Sequence, residues 1–394
     1  MKGIYTVMAP KRVLSGLLIL AAMMPAYCRA ALNEEGKDKD FSYVPEIHGA
    51  LRTRYEMDLN GDGSRFQVRN ARVSLAGKIA PTIDYFAQTD LCDRGKMKIL
   101  DAWGRIAIVK GLAFQAGQFR MPFGTDCFRG PANYIFSNRS FIGKQMCNVR
   151  AVGAKLSYSL PLAASQKLEL EGGAFNPTSI ADHDMWVKEL SYAAKVAYTA
   201  GNVRLATGVQ SIEPDSVRTN LWGASVTWTP GRWTLEGEYM HKHYTRSAHR
   251  AAQGWVIWAD YALPVKAGVF NRASFQARWD GMTPHSNAAR NDAGLLTTTD
   301  QARNRVTAGA TLTYAYKALH CDIRLDYEKY FYHSGAVVAP GEGDKICAEM
   351  VIKFSKWPEQ SLKKIYRDIR NMRIRNLCFL CLFFYTSVCV GILG

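Results

Sequence analysis

Long hydrophobic runs are absent from the body of this chain. Between Ala31 and Phe354 no stretch reaches the roughly 18 apolar residues that a membrane-spanning helix needs, which excludes a helical span there. Cysteine is also scarce in this body, where it occurs only as Cys92, Cys127, Cys147, Cys321 and Cys347. An odd count argues against a full disulfide framework. Cys127 and Cys147 fall in one predicted loop, so they either pair or, like the others, remain free.

Excess charge is modest in the body as well. The formal net charge of the whole chain is +16. Four basic residues precede Ala30, and the segment after Phe354 adds seven basic and two acidic ones, which leaves +7 for residues 31–354. The basic residues form no clustered stripe of the kind that binds nucleic acids, so we expect no nucleic-acid partner. A Gly-x-Ser-x-Gly motif is missing too, and with it the usual nucleophile of a lipid hydrolase.

Both ends of the chain differ from the body. Lys11 and Arg12 precede an apolar run over 13–24 and then small residues around Ala30, which predicts a secretory signal peptide over 1–30. Residues 31–45 are expected to form a periplasmic N-terminal segment. Residues 355–394 are basic and then apolar, which predicts a short helical tail. Two interpretations of that tail stay open: a membrane anchor, or an extension added by read-through or altered termination.

Polar and apolar residues alternate in stretches of about ten between 46 and 354. In the first stretch Leu51 and Tyr55 fall on one side, whereas Arg52, Arg54 and Glu56 fall on the other. Because strand side chains point alternately to opposite faces, each such strand has one apolar and one charged face. A charged face on nearly every strand suits a barrel that meets lipid outside and holds water inside.

The alternation predicts an all-β fold, a transmembrane antiparallel β-barrel of about sixteen strands over 46–354. The predicted strands are 46–59, 66–79, 82–91, 99–109, 112–118, 149–160, 167–175, 190–200, 203–212, 219–229, 233–243, 253–262, 272–280, 305–316, 321–331 and 345–354. Tight turns alternate with longer loops, as in outer-membrane barrels whose short turns are periplasmic. Aromatic residues such as Trp222, Trp228 and Trp233 are expected on the outer face, near the membrane interfaces.

Five segments in order resemble the phosphate-selective porin O and P family, which is common in the Bacteroides lineage. They are 66–77, 84–90, 100–103, 117–124 (GQFRMPFG) and 150–153. The resemblance implies an outer-membrane homotrimer of sixteen-stranded barrels, each with a constriction loop after the fifth strand. Asn70 replaces an arginine of the family pattern and Ala151 replaces an acidic residue. The resemblance therefore leaves the solute, including phosphate, open.

The loop over 120–148 is the candidate constriction. Its charged residues, with the one just after it, are Arg120, Arg129, Arg139, Lys144 and Arg150 against Asp126. Rings of arginine or lysine at a narrow point favour anions. The alternative is a solvated outer loop whose arginines meet lipopolysaccharide phosphates or barrel carboxylates.

The strand faces predict a mixed lumen. Ten basic residues against twelve acidic ones are expected to point inward, among them Arg52, Arg54, Arg72 and Arg105. This is no uniform basic ladder, so some rows are expected to be ion-paired across strands and to stiffen the wall.

These features predict a porin for passive diffusion of small hydrophilic solutes, with an anion or phosphate preference. It is expected to contact outer-membrane lipid and lipopolysaccharide and to need no cofactor or catalytic residue. Asp58 opens a calcium-loop spacing, but Arg69 stands where a glutamate is needed, so a turn is favoured. His241 and His243 share a face without a third metal ligand. Rival functions are a non-conducting structural or adhesin barrel and, less favoured, a lipid hydrolase.

Overall fold

The computed structural model describes residues 44–354 except 62, 94, 148–149, 178, 181–185, 214–216, 334, 337 and 340. The predicted signal peptide and the tail over 355–394 lie outside the described residues. Sixteen strands follow one another: β1 Glu46–Asp58, β2 Ser64–Ala80, β3 Ile83–Asp93, β4 Lys96–Val109, β5 Leu112–Arg120, β6 Arg150–Ala163, β7 Gln166–Phe175, β8 Ser191–Ala200, β9 Val203–Ile212, β10 Thr219–Trp228, β11 Trp233–Tyr244, β12 Ala252–Ala267, β13 Phe270–Met282, β14 Arg303–Tyr316, β15 Leu319–Tyr332 and β16 Lys345–Phe354.

Each strand pairs antiparallel with its neighbours in the chain, and β1 pairs with β16, which closes the barrel. In this last ladder Gly49 lies opposite Phe354 and Asp58 opposite Lys345. Closure leaves no strand with an unpaired edge, and this is the condition for placing a sheet in lipid. Within the described part of the chain, no helix has the length and apolar character to cross a membrane.

The two faces of the wall differ as the alternation predicts. Trp222, Val226 and Trp228 on β10 are exposed on the outside, whereas Leu221, just before Trp222, is buried. On β1 the side chains of Arg52, Arg54 and Glu56 are almost fully buried, and their partners lie inside the barrel. The strand number and the orientation of these faces confirm the sequence prediction.

The two rims differ in the length of their connections. The even-numbered connections are tight, as at 201–202 and 229–232, and they form the short-turn rim. Gly201 (φ 56°) and Gly231 (φ 60°) adopt left-handed conformations there, which glycine tolerates best. The long connections, including 283–302 and 333–344, gather at the opposite, long-loop rim.

The alternation of polar and apolar residues predicted the ends of the strands less accurately than their number. β2, β6, β12 and β13 all extend beyond their predicted limits, and β12 runs to Ala267. Ladder hydrogen bonds carry these strands past the point where the apolar alternation stops. Pro264 lies inside this extension, beside a break in the β12–β13 register.

Candidate pore constriction

Residues 121–147, which we call the lumen loop, connect β5 to β6 and fold into the barrel. On one side the carboxylate of Glu238, on β11, accepts hydrogen bonds from the backbone N–H groups of Thr125 (2.6 Å) and Asp126 (2.8 Å). Across the bore, Arg52 of β1 donates to the Ser137 carbonyl at 2.8 Å. Because these two strands lie on opposite parts of the wall, the lumen loop must cross the interior.

A second set of wall side chains holds residues 134–141 of the lumen loop through their backbone groups. Arg324 donates to the Tyr134 carbonyl and Arg305 to the Arg139 carbonyl, both at 2.7 Å. The Phe141 N–H donates to Asp280 at 3.0 Å. Backbone groups that leave the sheet and enter a barrel need such partners, and here charged side chains supply them.

The wall charges that hold the lumen loop are themselves paired. Arg305 bridges Asp280 (2.8 Å) and Glu328 (3.2 Å), and Arg324 pairs with Glu349 (2.7 Å). All five of these side chains are almost completely buried. Buried charges are tolerated only in such compensated networks, and removing one partner leaves the others uncompensated. The network therefore rigidifies this half of the barrel.

An apolar cluster holds other parts of the lumen loop against the wall. Phe123, Ile142 and Met146 of the lumen loop pack against Met240 and other wall residues that face inward, completing a cluster of Phe123, Cys127, Phe136, Ile142, Met146, Cys147, Leu221, Met240, Val256 and Trp258. Gly254 of β12 lies directly beneath this packing. Apolar residues on an inward face are unexpected in a water-filled bore, and the loop explains them because it covers them.

Cavities flank the lumen loop on both sides. A cavity of about 430 Å³ toward the short-turn rim is lined by Arg72, Lys353 and loop residues 130–133. Another of about 350 Å³ toward the long-loop rim is lined by Lys144, Arg303 and neighbours. The loop thus occupies the level between two wider spaces.

Three of the predicted constriction residues have carboxylate partners. Arg129 pairs with Glu236 and, at 2.9 Å, with Asp126. Arg150 pairs with Asp101 at 3.1 Å. Lys144 is exposed near the long-loop rim, where it pairs with Glu342 at 2.6 Å. Each of these positive charges is largely balanced where it stands.

Burial and ion pairing oppose each other at the loop carboxylate Asp126. Burial alone would raise the pKa of Asp126, but Arg129 and a hydrogen bond from Ser140 together hold that pKa below its ordinary value. In return, the pKa of Arg129 is raised, because the neighbouring carboxylates outweigh its desolvation. Both groups therefore stay charged near neutral pH.

Arg120 and Arg139 are different, since neither has a carboxylate ion-pair partner among the described residues. Arg120 donates to the Arg129 carbonyl at 3.3 Å, and Arg139 donates to the Cys127 carbonyl at 3.4 Å. The Arg120 guanidinium lies close to those of Arg139 and Arg150. The Nε groups of Arg120 and Arg139 are buried without a hydrogen-bond acceptor in the described structure. A concentration of positive charge results.

Sequence profiles of two protein families match parts of the barrel. The profile of phosphate-selective porin O and P matches residues 46–166, and that of the Gram-negative porins matches residues 128–271. Over residues 46–166 the chain thus matches the family that its motifs resemble, phosphate-selective porin O and P. It is accordingly an outer-membrane porin, through which small hydrophilic solutes diffuse passively. No curated protein sequence matches it.

Solved porin structures share its fold. The anion-selective porin from Comamonas acidovorans is 12% identical, covers 79% of this chain and 99% of its own, and superposes with a TM-score of 0.55. Salmonella typhi OmpF, in complex with daunomycin, is 13% identical over 79% and 97% of the two chains, with a TM-score of 0.53. The trimer form of Vibrio cholerae OmpT is 10% identical over 79% and 99%, at 0.50. Identities this low establish the barrel fold alone.

Each of the four arginines predicted to line the lumen of this porin has a carboxylate partner. Arg52 pairs with Glu349, and Arg54 with Glu56 at 3.0 Å. Arg72 pairs with Asp90 at 3.0 Å, and Arg105 with Asp84 at 2.5 Å near the short-turn rim. The mixed lumen that the alternation predicts is thus a set of cross-strand pairs.

Sequence reasoning missed Arg69. The β1–β2 register shifts between Arg52 and Thr53, so that Arg69 is the extra residue of a β-bulge. Its guanidinium lies near Arg54 and near Tyr134 of the lumen loop, and the residue stays exposed to solvent. An inward cation that keeps its solvent contact is what a water-filled bore provides.

A signal for this bulge is present in the sequence. Phe66 and Val68, at even positions, are 85% and 56% exposed on the outer face, whereas Val73 and Leu75, at odd positions, continue that face farther along the strand. The apolar parity therefore changes across 69–70. A one-residue bulge is the simplest way to keep both apolar sets facing lipid.

Asp58 and His241, which were weighed as metal ligands, each have another contact. Asp58 accepts a hydrogen bond from the Asn60 N–H at 2.9 Å, which closes a turn. His241 stacks against Trp222 on the outer face. No group of three or more metal-ligating side chains occurs within the described residues.

Proposed function

We propose that this outer-membrane porin prefers small inorganic or carboxylate anions, and that Arg120 and Arg139 set the preference. The observation that carries the proposal is a cluster of guanidinium groups from Arg120 at the end of β5, Arg139 on the lumen loop and Arg150 at the start of β6. Arg120 and Arg139 have no carboxylate ion-pair partner in the described structure. Such a cluster at the narrow level attracts anions and repels cations.

Ion pairing decides which arginines contribute to this field. A guanidinium in contact with a carboxylate forms a dipole whose potential falls off rapidly, so Arg129, Arg150 and Lys144 contribute less than their formal charges suggest. Asp126 lies within electrostatic range of Arg139, but Arg129 contacts it directly at 2.9 Å. Arg69 adds a further inward cation near Tyr134. The net field at the loop is therefore positive.

The comparison with the Comamonas acidovorans porin supports the same class of solute, because that protein is anion-selective. Its likeness to this chain lies in the fold. Selectivity here rests on the arginines in and beside this lumen loop.

We further propose a homotrimer that contacts lipid and lipopolysaccharide with its outer face. The trimer form of Vibrio cholerae OmpT is one structural neighbour. Phe66 on β2, Met97 and Ile99 on β4 are exposed apolar residues on adjacent parts of the wall, as a subunit interface or a lipid contact requires. Crosslinking in native outer membranes, read as a trimer band, tests this assembly.

Reversal potentials in planar lipid bilayers under a potassium chloride gradient test the anion preference. A unit positive charge about 6 Å from a permeating ion in water attracts chloride and repels potassium by roughly 0.7 kcal/mol each. The difference of about 1.4 kcal/mol corresponds to about tenfold in the chloride-to-potassium permeability ratio. Arg120→Ala and Arg139→Ala should each lower the chloride-to-potassium permeability ratio by about this factor, and the double variant by more.

Arg105→Gln is the matched control, since it removes one lumen arginine that pairs with Asp84 near the short-turn rim. Its permeability ratio should change least. An unchanged ratio in the double variant would remove the anion proposal, and the absence of any channel steps would favour a non-conducting structural or adhesin barrel.

A further inference from the structure

Two cysteines of the lumen loop lie together inside the barrel. Cys127 belongs to the short 3₁₀ turn Asp126–Phe128, and Cys147 directly follows the π-helical turn Ile142–Met146. Both side chains are buried in the same apolar cluster. Both thiols are free in the described structure, and the Cys127 side chain is near enough to contribute to the raised pKa of the Cys147 thiol. The Cys127 thiol also donates to the Phe123 carbonyl at 3.0 Å.

The remaining described cysteines are apart from this pair and from one another. Cys92 lies on β3, where its thiol contacts Asp90 and the Val68 carbonyl. Cys321 on β15 lies opposite Ile352, and Cys347 on β16 lies opposite Asp326 and contacts Glu56. Cys127 and Cys147 are therefore the two that the fold brings together.

We propose that Cys127 and Cys147 are oxidised to a disulfide that covalently closes the lumen loop. The oxidant is a periplasmic disulfide, either of a dithiol protein or of a small thiol. One porin thiolate attacks this disulfide and releases one oxidant thiolate, giving a mixed disulfide. The second porin thiolate then attacks the porin sulfur of the mixed disulfide and releases the other. The porin thiols lose two electrons, and their two protons end on the two thiols of the reduced oxidant.

Burial sets the order of events. In the folded barrel, desolvation raises the pKa of the Cys147 thiol, which disfavours the thiolate needed for exchange. Neither sulfur is open to a bulky oxidant there, since both residues are at most 3% exposed. Oxidation therefore precedes docking of the loop, and the finished bond is shielded from reductants until the barrel unfolds.

The disulfide would restrain the part of the lumen loop between Cys127 and Cys147, which contains Arg129 and Arg139. Between the two cysteines lie Tyr134, Ser137, Asn138 and Arg139, whose backbone carbonyls accept hydrogen bonds from wall arginines. Joining the two ends of this segment restricts the loop before it enters the bore. The proposed disulfide concerns only the covalent structure of the loop, so it does not depend on which solute the porin admits.

Peptide mass spectrometry of the full-length porin from native envelopes tests the proposal. The envelopes are dissolved and the porin is unfolded in detergent and urea with N-ethylmaleimide and without reductant, so that buried free thiols are also blocked, and the protein is then digested with trypsin. Cleavage after lysine and arginine places Cys127 in residues 121–129, Cys147 in residues 145–150 and Cys321 in residues 318–324. The expected result is one species with the summed mass of the first two peptides less two hydrogen atoms.

Dithiothreitol should convert this species completely into the two separate peptides, while the Cys321 peptide carries the maleimide from the start. Cys127→Ser should abolish the linked species, whereas Cys321→Ser should leave it unchanged. Maleimide on both Cys127 and Cys147 in wild-type protein, or a link from either to another cysteine, would overturn the proposal. The wild-type result decides even where a variant fails to fold. Because the readout is a mass, it is independent of the anion preference.

Discussion

Replacing Arg305 with alanine should loosen the lumen loop and destabilise the barrel. The Arg305 side chain is 2% exposed and contacts Asp280 at 2.8 Å, Glu328 at 3.2 Å and the Arg139 carbonyl at 2.7 Å. Its loss leaves two buried carboxylates short of a partner. Removing one member of a buried ion pair costs about 3–5 kcal/mol. Arg278 also lies 3.4 Å from both carboxylates, so we expect the lower end, about 3 kcal/mol.

The matched control is Arg272→Ala. Arg272 pairs with Asp260 at 3.2 Å, but its side chain is 51% exposed, and such exposed pairs are worth about 0–1 kcal/mol. Urea unfolding of both variants in lipid vesicles, followed by the fluorescence of the chain's nine tryptophans, gives the two free energies of unfolding. Equal losses in the two variants would refute the reasoning, because the buried network would then contribute no more than a surface pair.

Three further predictions follow from the lumen loop and the bulge. Gly254→Val should destabilise the barrel by roughly 1–3 kcal/mol, because its Cβ would overlap Ile142 and Met146, whereas Gly237→Val, with only ordinary contacts, should be tolerated; urea unfolding compares them. Arg69→Gln should lower the chloride-to-potassium permeability ratio more than Arg65→Gln, whose arginine pairs with Glu56 at 2.7 Å; equal reversal potentials would place Arg69 outside the ion path. The pKa of Asp126 is lowered in the folded state, so its stabilising effect is full above its ordinary pKa of 3.8 and is lost as pH falls through the lower folded value. Channel currents recorded from pH 6 to pH 3 should therefore become noisier at the acid end, and Asp126→Asn should be noisy throughout; a flat wild-type record would contradict this.

Alternation located the barrel well because its period is a local property of each strand. Trp222, Val226 and Trp228 face outward and Arg52 and Arg54 face inward, as their spacing requires. One bulge was enough to hide Arg69, since a single extra residue reverses the parity of everything on one side of it. The strand count survived because a bulge leaves the pairing order unchanged.

The candidate site was only partly predictable. The loop charges Arg120, Arg129 and Arg139 are evident from composition, and the loop does enter the bore. Their partners are not evident, because Arg129 meets Glu236 from a strand more than a hundred positions away. The apolar wall residues beneath the loop, such as Met240 and Val256, likewise acquire a reason only when Phe123 and Ile142 cover them.

The order of residues along the chain was sufficient for what depends on neighbours: the strands, their two faces, the short and long rims, and the resemblance to a porin family. Tertiary structure alone decided which charges remain without a carboxylate beside them, that Arg69 turns inward, and that two thiols meet. Those outcomes depend on contacts between segments distant in the chain. Electrostatic and covalent pairing act over a few ångströms in space, and no local spacing encodes such distances.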